Sequence, residues 1–270
     1  MELGPGDTSG NTLRAVLGLI PRKRPAQLPA LGFEQAGVRV DREHLAAYGK
    51  VCGFRLRDEL PPTYPHVLAF PLAMRFMTLP QFPFPVIGLV HIANSITVRG
   101  PVDAGAVLDF SLGTRDLRPH ARGTQFDLHV SARVDGAEVW ASTSTYLSRS
   151  AQAGGRHDRT EWEAPAATAV WRVPARVGTD YAAVSGDRNP IHTSRVGARL
   201  FGFPRTIAHG MWSKARCLAA LEGRLPAAYT VDVQFKQPIV LPATVNFAYG
   251  NGQFEIFGKR PHLAGQVTPA

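Results

Sequence analysis

The stretch Thr124-Gln125-Phe126-Asp127-Leu128-His129-Val130-Ser131-Ala132-Arg133-Val134 decides the fold. Phe126, Leu128, Val130 and Ala132 take every second position, with Asp127, His129 and Ser131 between them. That period of two belongs to an antiparallel strand with one face buried. Its opening residues return downstream as Gln253-Phe254-Glu255-Ile256. Upstream, Arg99-Gly100-Pro101-Val102-Asp103-Ala104-Gly105-Ala106-Val107 resembles Lys236-Gln237-Pro238-Ile239-Val240-Leu241-Pro242-Ala243-Thr244, and Tyr48 followed by Gly53 is echoed by Tyr181 followed by Gly186. Three matches in one order, at offsets of 128 to 137 residues, argue for two copies of one domain in a chain of 270 residues.

Each copy reads as a short helix, a longer central helix and then strands. In the first, Asp41 caps a helix through Tyr48, and a Pro-interrupted apolar segment from Pro65 to Leu79 forms the central helix. Strands follow over 89–98, 107–114, 124–134 and 137–147, each bounded by turn residues. In the second, Thr179 or Asp180 caps a helix through Val184, and Met211, Ala215, Leu218 and Leu221 give helical spacing to Gly210–Glu222, with Gly223 as a stop. Strands are expected over 229–235, 244–249, 253–258 and 263–267. The fold class is therefore α+β, each sheet burying one face on its own helix. The expected layout is a tail over 1–32, a first domain over 33–148, a linker over 149–167 and a second domain over 168–270.

Composition narrows the function. Hydrophobic residues make up 44% of the chain, enough for a large core. Cys52 and Cys217 are too few for a disulfide framework and have no zinc spacing, so a reducing cytosol fits and no metal is expected. No run reaches the roughly 18 apolar residues of a membrane span. The stretch Leu13 to Ile20 follows Glu2 and Asp7, the wrong charge order for a secretory signal. The net charge of +9 points to an anionic partner or to a solvated surface. Nucleic acid is the poorest of these partners: there is no basic helix and no strand interleaving basic with aromatic residues. Arg22, Lys23 and Arg24, between Pro21 and Pro25, read as a solvated linker.

The segment that carries chemistry is Tyr181-Ala182-Ala183-Val184-Ser185-Gly186-Asp187-Arg188-Asn189-Pro190-Ile191-His192. Asn189-Pro190 breaks the helix and bends the chain between Asp187 and His192. Either Asp187 caps this turn and His192 is an ordinary histidine, or the two hold a water between them. Further on, Gly210 begins the helix that follows Ile207-Ala208-His209, offering an unbonded N–H to a negative oxygen, unless it only permits close packing. A carboxylate, an imidazole and an oxyanion donor suffice to add or remove water beside a thioester carbonyl.

The first of these segments resembles the signature of the (R)-specific enoyl-CoA hydratases, or MaoC-like dehydratases: an aromatic residue, then S-G-D-x-N-P-aliphatic-H, then five residues and a small one, here Ala198. Ile207-Ala208-His209-Gly210-Met211 matches the family's second motif. The resemblance implies the hot dog fold, in which a curled antiparallel sheet wraps one long helix. With two copies, the chain is similar to double hot dog hydratases and to the mycobacterial 3-hydroxyacyl-thioester dehydratases, sharing Pro62-Thr63-Tyr64-Pro65, Phe82-Pro83-Phe84 and Leu200-Phe201-Gly202-Phe203-Pro204. It implies that Asp187 and His192 are catalytic, that Gly210 is the oxyanion donor, and that Ser185, Asn189, His209, Met211, Arg188 and Arg205 contact substrate. In the repeat register Asp187 falls opposite Phe54 and His192 opposite Glu59, so the first copy lacks the dyad and leaves room for an acyl chain lined by Phe70, Met74, Phe76 and Met77. Leu218 stands where many single-domain relatives carry a polar residue on the central helix, which favours longer or greasier chains.

The expected reaction is reversible hydration of trans-2-enoyl thioesters to (R)-3-hydroxyacyl thioesters, with no cofactor and with CoA or an acyl carrier protein as part of the substrate. Arg188, Arg195, Arg199 and Arg205 flank the motif as candidates to meet its anionic end. A thioesterase or a non-catalytic acyl-thioester binder on the same fold are the alternatives. No stable membrane insertion is expected, and the chain reads as a monomer or a homodimer.

Overall fold

The computed structural model describes residues 24–150 and 162–270. The expected tail therefore lies mostly outside the described residues, as does most of the expected linker.

Ten strands join into one antiparallel sheet of order β1-β3-β4-β5-β2-β7-β10-β9-β8-β6. In the first half, β1 (Phe33–Arg39) pairs with β3 (Val107–His120), followed by β4 (Gly123–Val134), β5 (Ala137–Arg149) and β2 (Leu89–Val98). The second half runs β6 (Ala169–Val173), β8 (Ala243–Gly250), β9 (Gln253–Phe257), β10 (Pro261–Pro269) and β7 (Tyr229–Phe235). The two orders are the same, element for element. All three sequence matches fall on equivalent positions: Gln125 and Gln253 in β4 and β9, Arg99 and Lys236 just after β2 and β7, and Gly53 and Gly186 as left-handed caps of equivalent helices. The halves meet edge to edge where β2 pairs with β7, from Ala93 opposite Gln234 to Val98 opposite Tyr229. The two expected sheets are thus one continuous sheet, which leaves neither inner edge strand unpaired.

The fold is the expected α+β double hot dog. The central helices are α2 (Tyr64–Met77) in the first half and α6 (Gly210–Ala220) in the second. Pro65 sits in the first turn of α2, where a missing N–H costs nothing, and Pro71 interrupts its middle. Shorter helices precede each: α1 (Arg42–Cys52), and α3 (Val177–Ser185), α4 (Pro190–Thr193) and α5 (Arg195–Leu200). Tyr48 of α1 and Tyr181 of α3, the paired tyrosines of the repeat, pack with ring centroids 6.2 Å apart. His44 bridges the same helices, its Nε2 donating to the Val184 carbonyl at 2.8 Å and its Nδ1 bonded to the Tyr64 hydroxyl at 2.8 Å.

Several expectations need correction. Neither Thr179 nor Asp180 caps α3, which starts at Val177 after Arg176; Thr179 Oγ1 donates back to the Arg176 carbonyl, and Asp180 pairs with the Arg176 side chain. Gly178, in that first turn, lies close against the His192 carbonyl. Strands β1 and β6 escape the alternation test because each is a short sheet edge: β1 is broken by a register shift between Gln35 and Val38, and β6 places the apolar Val170 on its exposed face. Arg24 is no solvated linker residue: its guanidinium donates to the carbonyls of Phe82 and Phe84. In β4 the second face is not solvent either, since Asp127 is buried against Arg118 and the Thr145 hydroxyl.

Candidate active site

The site is built where α3 ends and the chain turns. Gly186 caps α3 with φ +75°, and Asp187, Arg188 and Asn189 lead into α4. The Asp187 N–H donates to Ser185 Oγ, the Asn189 N–H to Asp187 Oδ1, and the Ile191 N–H to Asn189 Oδ1, at 3.1 to 3.3 Å. Ser185 and Asn189 thus hold the turn through their side-chain oxygens. Pro190 opens α4, its fixed φ suited to that position.

His192, one turn on, is buried. Its Nδ1 lies 2.8 Å from the carbonyl of Ile207. A carbonyl only accepts, so Nδ1 carries the proton and Nε2 presents a lone pair. Burial pulls the His192 pKa below its ordinary value, partly opposed by Asp187 and by the Ile207 bond. The side chain of His209, which precedes α6, donates from Nε2 to the backbone carbonyl of Asp187 at 3.0 Å. Its ring stacks on His192 with centroids 3.7 Å apart and planes at 28°. Burial pushes His209 down to about 3, so its 3.8 Å approach to Asp187 Oδ2 joins a neutral ring to a carboxyl group. His209 therefore bonds to the dyad's own turn.

Ligand atoms of Asp187, His192 and His209 all lie within 4.8 Å of one another, close enough to suit a metal ion. The stacked rings disfavour it. An ion shared by two near-parallel imidazoles would sit roughly half their separation out of each ring plane, whereas metal–imidazole bonds lie along the in-plane lone pair.

Gly210 begins α6, so its N–H has no acceptor within the helix. A Cβ there would meet the Phe235 ring at 3.0 Å, so a side chain would press on that ring. Met211 and Leu218 are buried in the core. Arg188, Arg195, Arg199 and Arg205 are all exposed.

The dyad has no counterpart in the first half. Phe54 is buried there and stacks on Tyr48 at 6.3 Å, while the backbone of Glu59 forms an isolated β-bridge with that of Asp103. Of the four residues expected to line an acyl pocket, Phe70 reaches the turn, its ring 3.5 Å from where a Cβ on Gly186 would stand. Phe76 packs into the core against Phe33 and Phe82, Met77 is buried there too, and Met74 is partly buried against it.

Comparison with known proteins places this arrangement. The model of the MaoC like domain matches residues 163–262, which include every element of the site from α3 to α6. The 3-hydroxyacyl-thioester dehydratase X of Mycobacterium tuberculosis is 36% identical over 270 residues, covering 95% of this chain and 96% of its own. The chain belongs to the MaoC-like dehydratase family. The crystal structure of HtdX from Mycobacterium tuberculosis superposes with a TM-score of 0.79 at 34% identity, covering 89% of this chain and all of the other. A Mycobacterium tuberculosis protein described as having a double hotdog fold superposes at a TM-score of 0.53, with 13% identity, over 88% of this chain and 94% of its own, a likeness of fold alone.

The MaoC-like site has a second wall that no motif announced. His66, one turn before Phe70 on α2, faces His91 of β2 at 6.3 Å, and His91 stacks on Tyr146 of β5 at 4.7 Å. Phe235, which touches Gly210, packs on the same His91 ring at 4.9 Å. His91 Nε2 is shut from solvent without a partner among the described residues. Burial pushes His66 to about 4 and His91 further below its usual range. An isolated histidine in an apolar helix and another in a strand carry no sequence signal of this kind; only the tertiary structure brings His66 within the field of Asp187.

Lys214 of α6 is fully buried, which pulls its pKa well below the lysine range. Its Nζ donates to Asn94 Oδ1 at 2.6 Å, to the Val231 carbonyl at 2.9 Å and to the Asn94 carbonyl at 3.2 Å. The central helix is thereby tied to both strands of the junction.

Proposed function

We propose that this protein catalyses the reversible hydration of trans-2-enoyl thioesters to (R)-3-hydroxyacyl thioesters in fatty-acid metabolism, as the name of its Mycobacterium tuberculosis relative suggests for that protein. The observation that carries the reading is the Nδ1–H bond of His192 to Ile207, which fixes the tautomer and leaves Nε2 bare beside Asp187. In the hydration direction, Asp187 and His192 hold one water against C3 of the enoyl group. His192 Nε2 takes a proton as the water oxygen bonds to C3, and the imidazolium, stabilised by Asp187, returns that proton to C2 on the same face. One water is added and the pair ends as it began. The N–H of Gly210 faces the oxygen of the thioester as it gains charge, a contribution on the order of 3 kcal/mol for one such donor.

The addition is redox-neutral and the proposal assigns it no cofactor; CoA or an acyl carrier protein belongs to the substrate. Among the described residues no helix is long and apolar enough to cross a membrane. Both cysteines are free and buried, which suits the cytoplasm. The test follows the loss of enoyl absorbance with short to very long trans-2-enoyl thioesters. Asp187→Asn and His192→Ala are expected to lose roughly two to four orders of magnitude in kcat with unchanged circular dichroism. Retention of more than a few per cent of activity by both variants would overturn the assignment.

A further inference from the structure

The helix α5 is built inside out. Gly197 and Ala198 face the protein: a Cβ on Gly197 would lie 2.5 Å from the Cβ of Pro190, and Ala198 is fully buried. The large apolar residues point outward, Val196 at 69% exposure, Leu200 at 80% and the following Phe201 at 41%. Val196 and Leu200 are four residues apart and so form one row; Arg195 and Arg199, also four apart and exposed, form a second row beside it. Scattered exposed apolar side chains are ordinary, but three on one seven-residue segment make a patch. From Arg188 to Gly210 the chain holds four arginines and no acidic residue. The close packing of Gly197 on Pro190 couples this face to α4, the helix that carries His192.

We infer that the face formed by Arg195, Val196, Arg199, Leu200 and Phe201 docks an acidic carrier protein that presents the acyl thioester, through a helix with carboxylates beside an apolar row. This deepens the proposed function and rests on it. Two rows decide the occupant. The arginines call for an anion, and the phosphates of free CoA would meet that need, but phosphates give Val196 and Leu200 nothing to pack on. A second copy of this chain could cover the apolar row only by bringing like-charged arginines together in a two-fold contact. An acidic amphipathic helix satisfies both rows and is steered to the site by charge.

The experiment compares the same trans-2-enoyl group on pantetheine, on CoA and on an acidic acyl carrier protein. The double variant Val196→Ser/Leu200→Ser, which removes no buried contact, is expected to raise KM for the carrier-protein substrate at least 10-fold, with kcat unchanged and the pantetheine substrate untouched. Arg195→Glu/Arg199→Glu should also raise KM for the carrier-protein substrate and should abolish the rise of that KM with salt. The inference is overturned if the serine variant leaves the carrier-protein KM unchanged, if the glutamate variant slows CoA as much as carrier protein, or if the wild type is a dimer that the serine variant turns into a monomer. Failure of the wild type to hydrate even the pantetheine substrate would instead refute the reaction itself.

Discussion

The rings of His192 and His209 stack at 3.7 Å, and the second donates to the carbonyl of Asp187, so one histidine holds both members of the dyad. His209→Phe keeps a flat ring but loses the N–H. It is expected to lower kcat about 10- to 100-fold with a smaller change in KM, since a small misplacement of a catalytic group costs that much. His209→Gln, which can donate again, should recover part of the loss. Equal kcat in wild type and His209→Phe would show that the bond positions nothing.

Acid should act on both rate and stability. In the proposed reaction His192 must be neutral to take a proton, and burial lowers its pKa, so the acid fall of kcat/KM is expected at a lower pH than an ordinary histidine would set. For stability, the unfolded chain protonates its histidines near pH 6.5, whereas folded His66 and His209 stay neutral down to about 4 and about 3. Between those limits the unfolded state binds more protons, so stability rises with pH. It is full above pH 6.5 and is lost as the pH falls from 6.5 toward 4. Melting temperatures at pH 7, 5.5 and 4.5 check this, and a smaller decline in His66→Phe would identify one contributor.

Gly178 tests how tightly the turn is held. A Cβ there would lie 2.1 Å from the His192 carbonyl oxygen, so α3 or α4 must move to admit one. Gly178→Ala is expected to cost roughly 1–3 kcal/mol, as overpacking does, and to depress activity further by displacing His192. Gly113→Ala, with open space around the added carbon, is the control and should leave activity intact. Urea unfolding and the enoyl assay together read both effects.

The buried lysine offers a fourth test. Lys214→Met/Asn94→Leu removes the buried donor and its side-chain acceptor together, and is expected to be neutral or mildly stabilising. Asn94→Ala alone leaves the buried Lys214 Nζ short of its closest acceptor and is expected to cost about 1–3 kcal/mol in urea unfolding. The opposite ranking would mean that Lys214 contributes net stability to the β2–β7 junction.

Much of the site was legible because it is local. Ser185 through His192 form one turn whose hydrogen bonds run between residues two apart, so the residue types at their spacing nearly dictate the shape. Strands β2 and β7 matched their expected limits of 89–98 and 229–235, each bearing a buried alternating row. The edge strands β1 and β6 were not legible, because they exist only by pairing with β3 and β8. The tight fit of Gly178 was not legible either, since it answers to a carbonyl fourteen residues away.

By itself the sequence pointed to two copies of one α+β unit and to the Asp187–His192 turn in the second, because alternation, helix breaking and that turn are set by residues close in the chain. Only the tertiary structure decided that the two sheets are one, that His66, His91 and Tyr146 of the first copy stand beside the dyad of the second, and that Lys214 spans the junction. Each of these depends on β2 lying against β7 across more than a hundred residues of sequence. Such a contact follows from the total surface buried between the halves, and no local pattern records it.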